Sequence, residues 1–179
     1  MVDETILAAE IQQFIDSHKT LHMACLANID ASDNSAGKQI IEPNISYTPF
    51  IFDKEKQQFF IYISKLAEHG QYLPGNKSIA ILLIEDEQRC KNLFARKRLT
   101  YNCSIKAITR DNPLWTEQIK IFQQQFGKIM DLLSQFSDFD LYSLTPERGT
   151  YVQGFGKAYR IHEGKISHLS PRSPAPDEQ

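Results

Sequence analysis

Residues 93–103 read LFARKRLTYNC. From Arg98 the residue types alternate, with Leu99, Tyr101, Cys103 and Ile105 on one side and Arg98, Thr100, Asn102, Ser104 and Lys106 on the other. A period of two marks a strand with one face on a core and one in water. Three consecutive cations, Arg96, Lys97 and Arg98, stand at the mouth of that strand in a chain whose formal net charge is −2. A slightly acidic protein has no overall attraction for polyanions such as nucleic acid, so the cluster points to a local anion. Arg96 and Arg98 share a parity with Thr100 and Asn102, whereas Lys97 points the other way as a surface charge. The bland alternative is a solvated network with the acidic run Glu85, Asp86 and Glu87, which would stabilise little.

Towards the N-terminus, SIAILLIE (78–85) reads as a strand and DEQRCKNLFA (86–95) as a short helix with Asp86 as N-cap. SKLAEHGQYLPGNKS (64–78) predicts another short helix, broken at Pro74 and Gly75. Three strands precede it: LHMACLAN (21–28), NISYTPFIFD (44–53) and QQFFIYIS (57–64), with Pro49 favouring an edge or a bulge. The polar stretches IDASDNSAGKQIIEP (29–43) and DKEK (53–56) suit hairpin links. Before all of these, Ile6, Leu7, Ile11, Phe14 and Ile15 recur at the spacing of an amphipathic helix.

Towards the C-terminus, Asp111-Asn112-Pro113 opens two helical stretches with Gly127 near their junction. FDLYSLTP (139–146) and GTYVQGFGKAYRI (149–161) read as two strands joined by a turn at PERG (146–149), and GFG marks a place where backbones pass closely. Strands that follow one another through hairpins form an antiparallel meander. About six or seven strands with about four helices define an α+β domain built on an antiparallel barrel, not a doubly wound parallel sheet.

A chain of 179 residues with 41% hydrophobic and 23% charged content fits one globular domain. That domain is expected over residues 1–161, and residues 162–179, ending in LSPRSPAPDEQ, are expected to form a mobile tail or to order only on a partner. The apolar runs are too short to span a bilayer, and MVDETILAAE is acidic where a secretory signal would be basic. A cytoplasmic protein with no membrane partner is therefore expected. Cys25, Cys90 and Cys103 are odd in number and lack any CxxC spacing, which excludes a disulfide framework and a structural zinc site.

Taken together, NISYTPF, LFARKRLTY and GFGKAYRI, set between a first strand with its Gly-containing loop and a strand ending in Ser64, resemble the pyridoxamine 5′-phosphate oxidase-like split barrel. Within that superfamily the chain is most similar to the bacterial HugZ/HutZ haem-utilisation proteins, over about residues 18–161. The resemblance implies a homodimer with ligand sites at the subunit interface, and haem as ligand or substrate. It further implies oxidative opening of the porphyrin, or its storage and delivery, with an electron donor the sequence does not identify. Haem offers a guanidinium two targets, its propionates and the polarised dioxygen of its oxygenated form. Arg98 is thereby implied as the haem-facing, catalytic residue, with Arg96 as its neighbour or substitute.

The alternative within the same fold is an FMN-dependent oxidoreductase, and a third reading is a ligand-binding barrel without catalysis. In flavin-binding members the helix after the third strand carries a basic pair that holds the FMN phosphate, and here that place falls on Glu68 and His69. A carboxylate facing a phosphate dianion is repulsive, and Lys65 offsets it only in part. Ser64, Lys65 and His69 are the cofactor-binding candidates of this segment.

Haem iron takes an axial ligand, commonly histidine, and the resemblance implies that it comes from the C-terminal segment. In SHLSPRSP, His168 matches the first histidine of the family's pattern, while the family's ligand position falls near Ser173. His168 is accordingly the candidate metal ligand, with His162 as alternative. Asp138 is the candidate carboxylate that orients a proximal histidine across the dimer.

Overall fold

A computed structural model describes residues 4–29 and 40–169 of the chain. Helix α1, Glu4–Asp16, buries Leu7, Ile11, Phe14 and Ile15, the stripe that the helical spacing predicts. Three strands follow: β1 (Thr20–Ile29), β2 (Ile40–Asp53) and β3 (Gln58–Ser64). Next come the short helix α2 (Glu68–Tyr72), a tight 3-10 turn at Leu73–Gly75, and strands β4 (Ser78–Ile84) and β5 (Arg98–Ile108). Helices α3 (Pro113–Phe126) and α4 (Ile129–Leu133) lead into β6 (Phe139–Gly154), β7 (Lys157–His162) and β8 (Lys165–His168).

All pairings are antiparallel, in the order β3-β2-β1-β4-β5-β6-β7-β8, and a further β3–β6 pairing closes the first six strands into a barrel. The expected α+β antiparallel split barrel is therefore the fold, with eight strands where about six or seven are expected. Two differences account for the count. PERG is not a turn: β6 runs through it, and Asn102 pairs with Arg148 while Cys103 pairs with Pro146, so Glu147 is bulged out. A bulge tolerates the missing N–H of Pro146 and keeps β6 on β5 instead of reversing it. The reversal falls at Phe155 and Gly156, and the sheet then continues past the expected domain end at Ile161 into β8. The close approach expected at GFG also lies elsewhere. The space around Gly154 and Gly156 is open, whereas a Cβ on Gly149 would sit 2.4 Å from both the Thr100 carbonyl oxygen and the Tyr101 ring.

Pro49 marks the hand-over of β2 between partners. Residues 40–49 pair with β1, and only residues 50–53 pair with β3, so the first half of β2 has one unpaired edge. The helix expected over 86–95 is replaced by two 3-10 turns, Glu87–Arg89 and Leu93–Ala95. Asp86 caps Gln88 N as expected, and Asn92 caps Phe94 N, so two side-chain caps interrupt the segment. Asn112 likewise caps α3, which Pro113 begins and Gly127 ends.

The core has two parts. One fills the barrel with Leu21, Met23, Ile61, Ile81, Leu99, Cys103 and Leu144. The other lies between the barrel wall and helices α3 and α4, with Ile51, Phe60, Tyr62, Ile119, Phe122 and Met130. Strand β3 feeds both, which is why its five residues from Phe59 to Ile63 are all buried and read as an unbroken apolar run. Of the link expected at 29–43, Ile29 belongs to β1 and residues 40–43 to β2; residues 30–39 lie outside the described residues, as does the tail beyond Leu169, including Ser173.

Candidate functional site

The cation cluster is held by backbone. Arg96 Nε donates to the Glu85 carbonyl at 2.6 Å, Arg98 Nη1 donates to the Arg96 carbonyl at 3.0 Å, and Glu85 N donates to the Lys97 carbonyl at 2.9 Å. Among the described residues no ion pair joins Arg96, Lys97 or Arg98 to Glu85, Asp86 or Glu87; the one carboxylate contact is to backbone, from Lys97 N to Glu85 Oε2 at 3.4 Å. Lys97 is more than a surface charge: its Nζ lies 6.0 Å from the centre of the Phe14 ring. It lines a cavity of about 600 Å³ with Glu10, His18 and Glu85. Arg98 stands on the outer sheet face with Thr100 and Asn102, at the end of β5 that pairs with Val152.

A second group gathers where β3 ends and β6 begins. Ser64 Oγ donates to Asp138 Oδ2 at 2.6 Å, and Lys65 N donates to the Asp138 carbonyl at 2.7 Å. Lys65 Nζ pairs with Asp140 Oδ1 at 3.1 Å. Helix α2 is seated tightly on this point, because a Cβ on Gly70 would meet the Ser64 carbonyl oxygen at 2.1 Å. On α2, His69 Nδ1 lies 2.9 Å from Ser46 Oγ of β2, and the Tyr72 hydroxyl donates to Glu68 Oε1 at 3.2 Å. Burial lowers the His69 imidazole below its ordinary value, against the smaller opposing charge of Glu68, so the ring is uncharged at neutral pH.

His168 ends β8 opposite Tyr159, whose ring it meets edge-on at 5.3 Å. Its Nε2 lies 2.9 Å from the Gly156 carbonyl oxygen. A carbonyl only accepts, so Nε2 carries the proton of this bond. The side chain is exposed. Among the described residues no cluster of three or more His, Cys, Asp or Glu forms a self-contained metal cage.

The expected residues thus fall into two groups, not one. Arg98 and His168 lie at one end of the sheet, their strands separated by β6 and β7, but on opposite faces, since His168 shares the row of the buried Leu99, Tyr151 and Tyr159. Ser64, Lys65 and Asp138 lie at the other, since Ser64 pairs with Phe139 at the start of β6. The 16 residues of β6 separate them, on the order of 50 Å measured along the strand. Two arginines escaped the sequence reading: Arg148 and Arg160 flank Asn102 and Thr100 across β6 and β7. Their proximity depends on the Glu147 bulge, for which PERG reads as a turn.

The pyridoxamine 5′-phosphate oxidase family pattern matches residues 7–153. This chain belongs to that family and, within it, to the HugZ/HutZ-type split-barrel proteins. It is 41% identical over 155 residues to the heme oxygenase HutZ of Vibrio cholerae serotype O1, covering 87% of this chain and 81% of HutZ. A crystal structure of HutZ from Vibrio cholerae, there called a heme storage protein, superposes with a TM-score of 0.63 at 40% identity, over 78% of this chain and 89% of that one. Campylobacter jejuni ChuZ superposes with a TM-score of 0.79 at 27% identity, over 95% of this chain and 65% of that chain. Among the described residues no helix is long and apolar enough to cross a membrane.

Proposed function

We propose that this protein binds haem and opens the porphyrin oxidatively, as a homodimer whose site is shared between subunits. The separation of Arg98 and His168 from Asp138 carries this reading. One chain holds the two groups at opposite ends of β6, so a complete site needs a second copy. The unpaired edge of β2 supports the same assembly: Ile45 and Tyr47 are 77% and 65% exposed there, beside the half-exposed Leu26 of β1. Strand edges and apolar faces of this kind are normally covered.

The residues present fit haem. His168 holds its Nε2–H on the Gly156 carbonyl; releasing that bond would free Nε2 for the iron and leave Nδ1–H as the donor that a ligating histidine gives to an orienting carboxylate. Arg98 supplies a permanent cation for a propionate or another anionic part of the ligand. Asp138 has Oδ2 engaged by Ser64, which leaves Oδ1 to orient a group from the partner. When bound, haem supplies the redox chemistry, and the protein supplies orientation and hydrogen bonds. FMN is the weaker reading, because Glu68 and an uncharged His69 offer no cation pair for its phosphate. Absorption titrations of the purified protein with hemin and with FMN test this: a stoichiometric Soret band with hemin supports it, and tight FMN binding without one overturns it.

A further inference from the structure

Strand register builds a second constellation of polar and cationic side chains on the outer sheet face, next to Arg98 along β5 and including His162, the alternative ligand named above. Thr100 of β5 lies opposite Thr150 of β6, which lies opposite Arg160 of β7. One row along, Asn102 lies opposite Arg148, which lies opposite His162. All six side chains share the parity of the outer face. They line a cavity of about 230 Å³, open to solvent, and no carboxylate lines it. With its amide oxygen turned toward Arg148, Asn102 accepts from Arg148 Nε at 2.9 Å and Nη2 at 3.1 Å, so one guanidinium is fixed and its remaining N–H groups are free to point away. Among the described residues the side chains of Arg160 and His162 make no hydrogen bond or ion pair. Diagonal neighbours such as Arg148 and Arg160 stand about 7–8 Å apart. Two arginines at diagonal positions, with no carboxylate in the cavity lining, can both reach an anion placed between them.

We propose that this cavity is a binding site for a phosphate-type oxyanion, a reading that rests on His168, not His162, serving haem. Two guanidinium groups on different strands, with the Thr150 hydroxyl and the His162 ring, supply donors from β6 and β7, while the Thr100 hydroxyl donates to the Thr150 carbonyl at 3.4 Å and offers its oxygen only. A tetrahedral dianion can meet these donors, whereas a planar carboxylate fills one arginine fork. The volume also admits a small group esterified to the phosphate. Affinity is modest because the arginines are exposed to water.

Isothermal titration of the full chain with inorganic phosphate, a simple phosphate monoester and succinate, at matched ionic strength in chloride, tests the site. We expect at least one phosphate form to bind. Arg148→Gln and Arg160→Gln should each weaken it about tenfold or more, the scale of one charge-assisted hydrogen bond, with Arg160→Lys recovering part of the loss. Phosphate and monoester together identify a phosphate-group site, while monoester alone shows that the attached group contributes. Circular dichroism establishes that the variants fold. Succinate binding as tightly as phosphate, folded variants with unchanged affinity, or no uptake of either phosphate form would overturn the site. Hemin binding in a protein that ignores phosphate would refute this site and leave the haem reading standing.

Discussion

Ser64 Oγ donates a 2.6 Å hydrogen bond to Asp138 Oδ2, tying the end of β3 to the residue that precedes β6. The barrel closes through this pair of strands, so the bond fixes both the closure and the carboxylate's direction. Ser64→Ala should cost about 1–2 kcal/mol in urea unfolding, the range for a part-buried bond to a charged acceptor. An unchanged midpoint would show that the bond carries no weight in the fold.

Gly149 is fixed by contact. A Cβ would lie 2.4 Å from the Thr100 carbonyl oxygen, a backbone atom held in the β5–β6 ladder, and 2.4 Å from the Tyr101 ring. Gly149→Ala should therefore destabilise by about 1–3 kcal/mol through overpacking. Full stability in the variant would mean that the strands separate there freely.

His69 makes stability depend on pH. Burial lowers its folded value, so below its ordinary value of about 6.5 the unfolded chain takes up the proton first. The contribution is complete above about pH 6.5 and is lost as pH falls through the lowered folded value. His69→Gln should flatten the decline in unfolding free energy over that acidic window, and an identical slope in wild type and variant would refute the assignment.

The fold was legible where one period dominates. Leu99, Tyr101 and Cys103 alternate strictly and are buried as expected, and Asn112-Pro113 opens α3 by known cap chemistry. Legibility fails at Pro146-Glu147-Arg148-Gly149, because the same four residues serve a turn or a bulge and only pairing with β5 decides between them. The site divides in the same way. Ser64, Lys65 and Asp138 were each singled out, yet their hydrogen bonds and backbone pairing depend on the barrel closing between β3 and β6. No local pattern records the distance of that group from Arg98, since it is set by the length of β6.

The most direct measurement is the Soret spectrum of the hemin-loaded protein compared with that of His168→Ala, with His162→Ala as a parallel variant. The exposed His168 is expected to supply the axial nitrogen, exchanging its bond to the Gly156 carbonyl for the iron. The account predicts that His168→Ala loses or shifts the band, that added imidazole restores it, and that His162→Ala matches wild type. A Soret band unchanged in His168→Ala would contradict it.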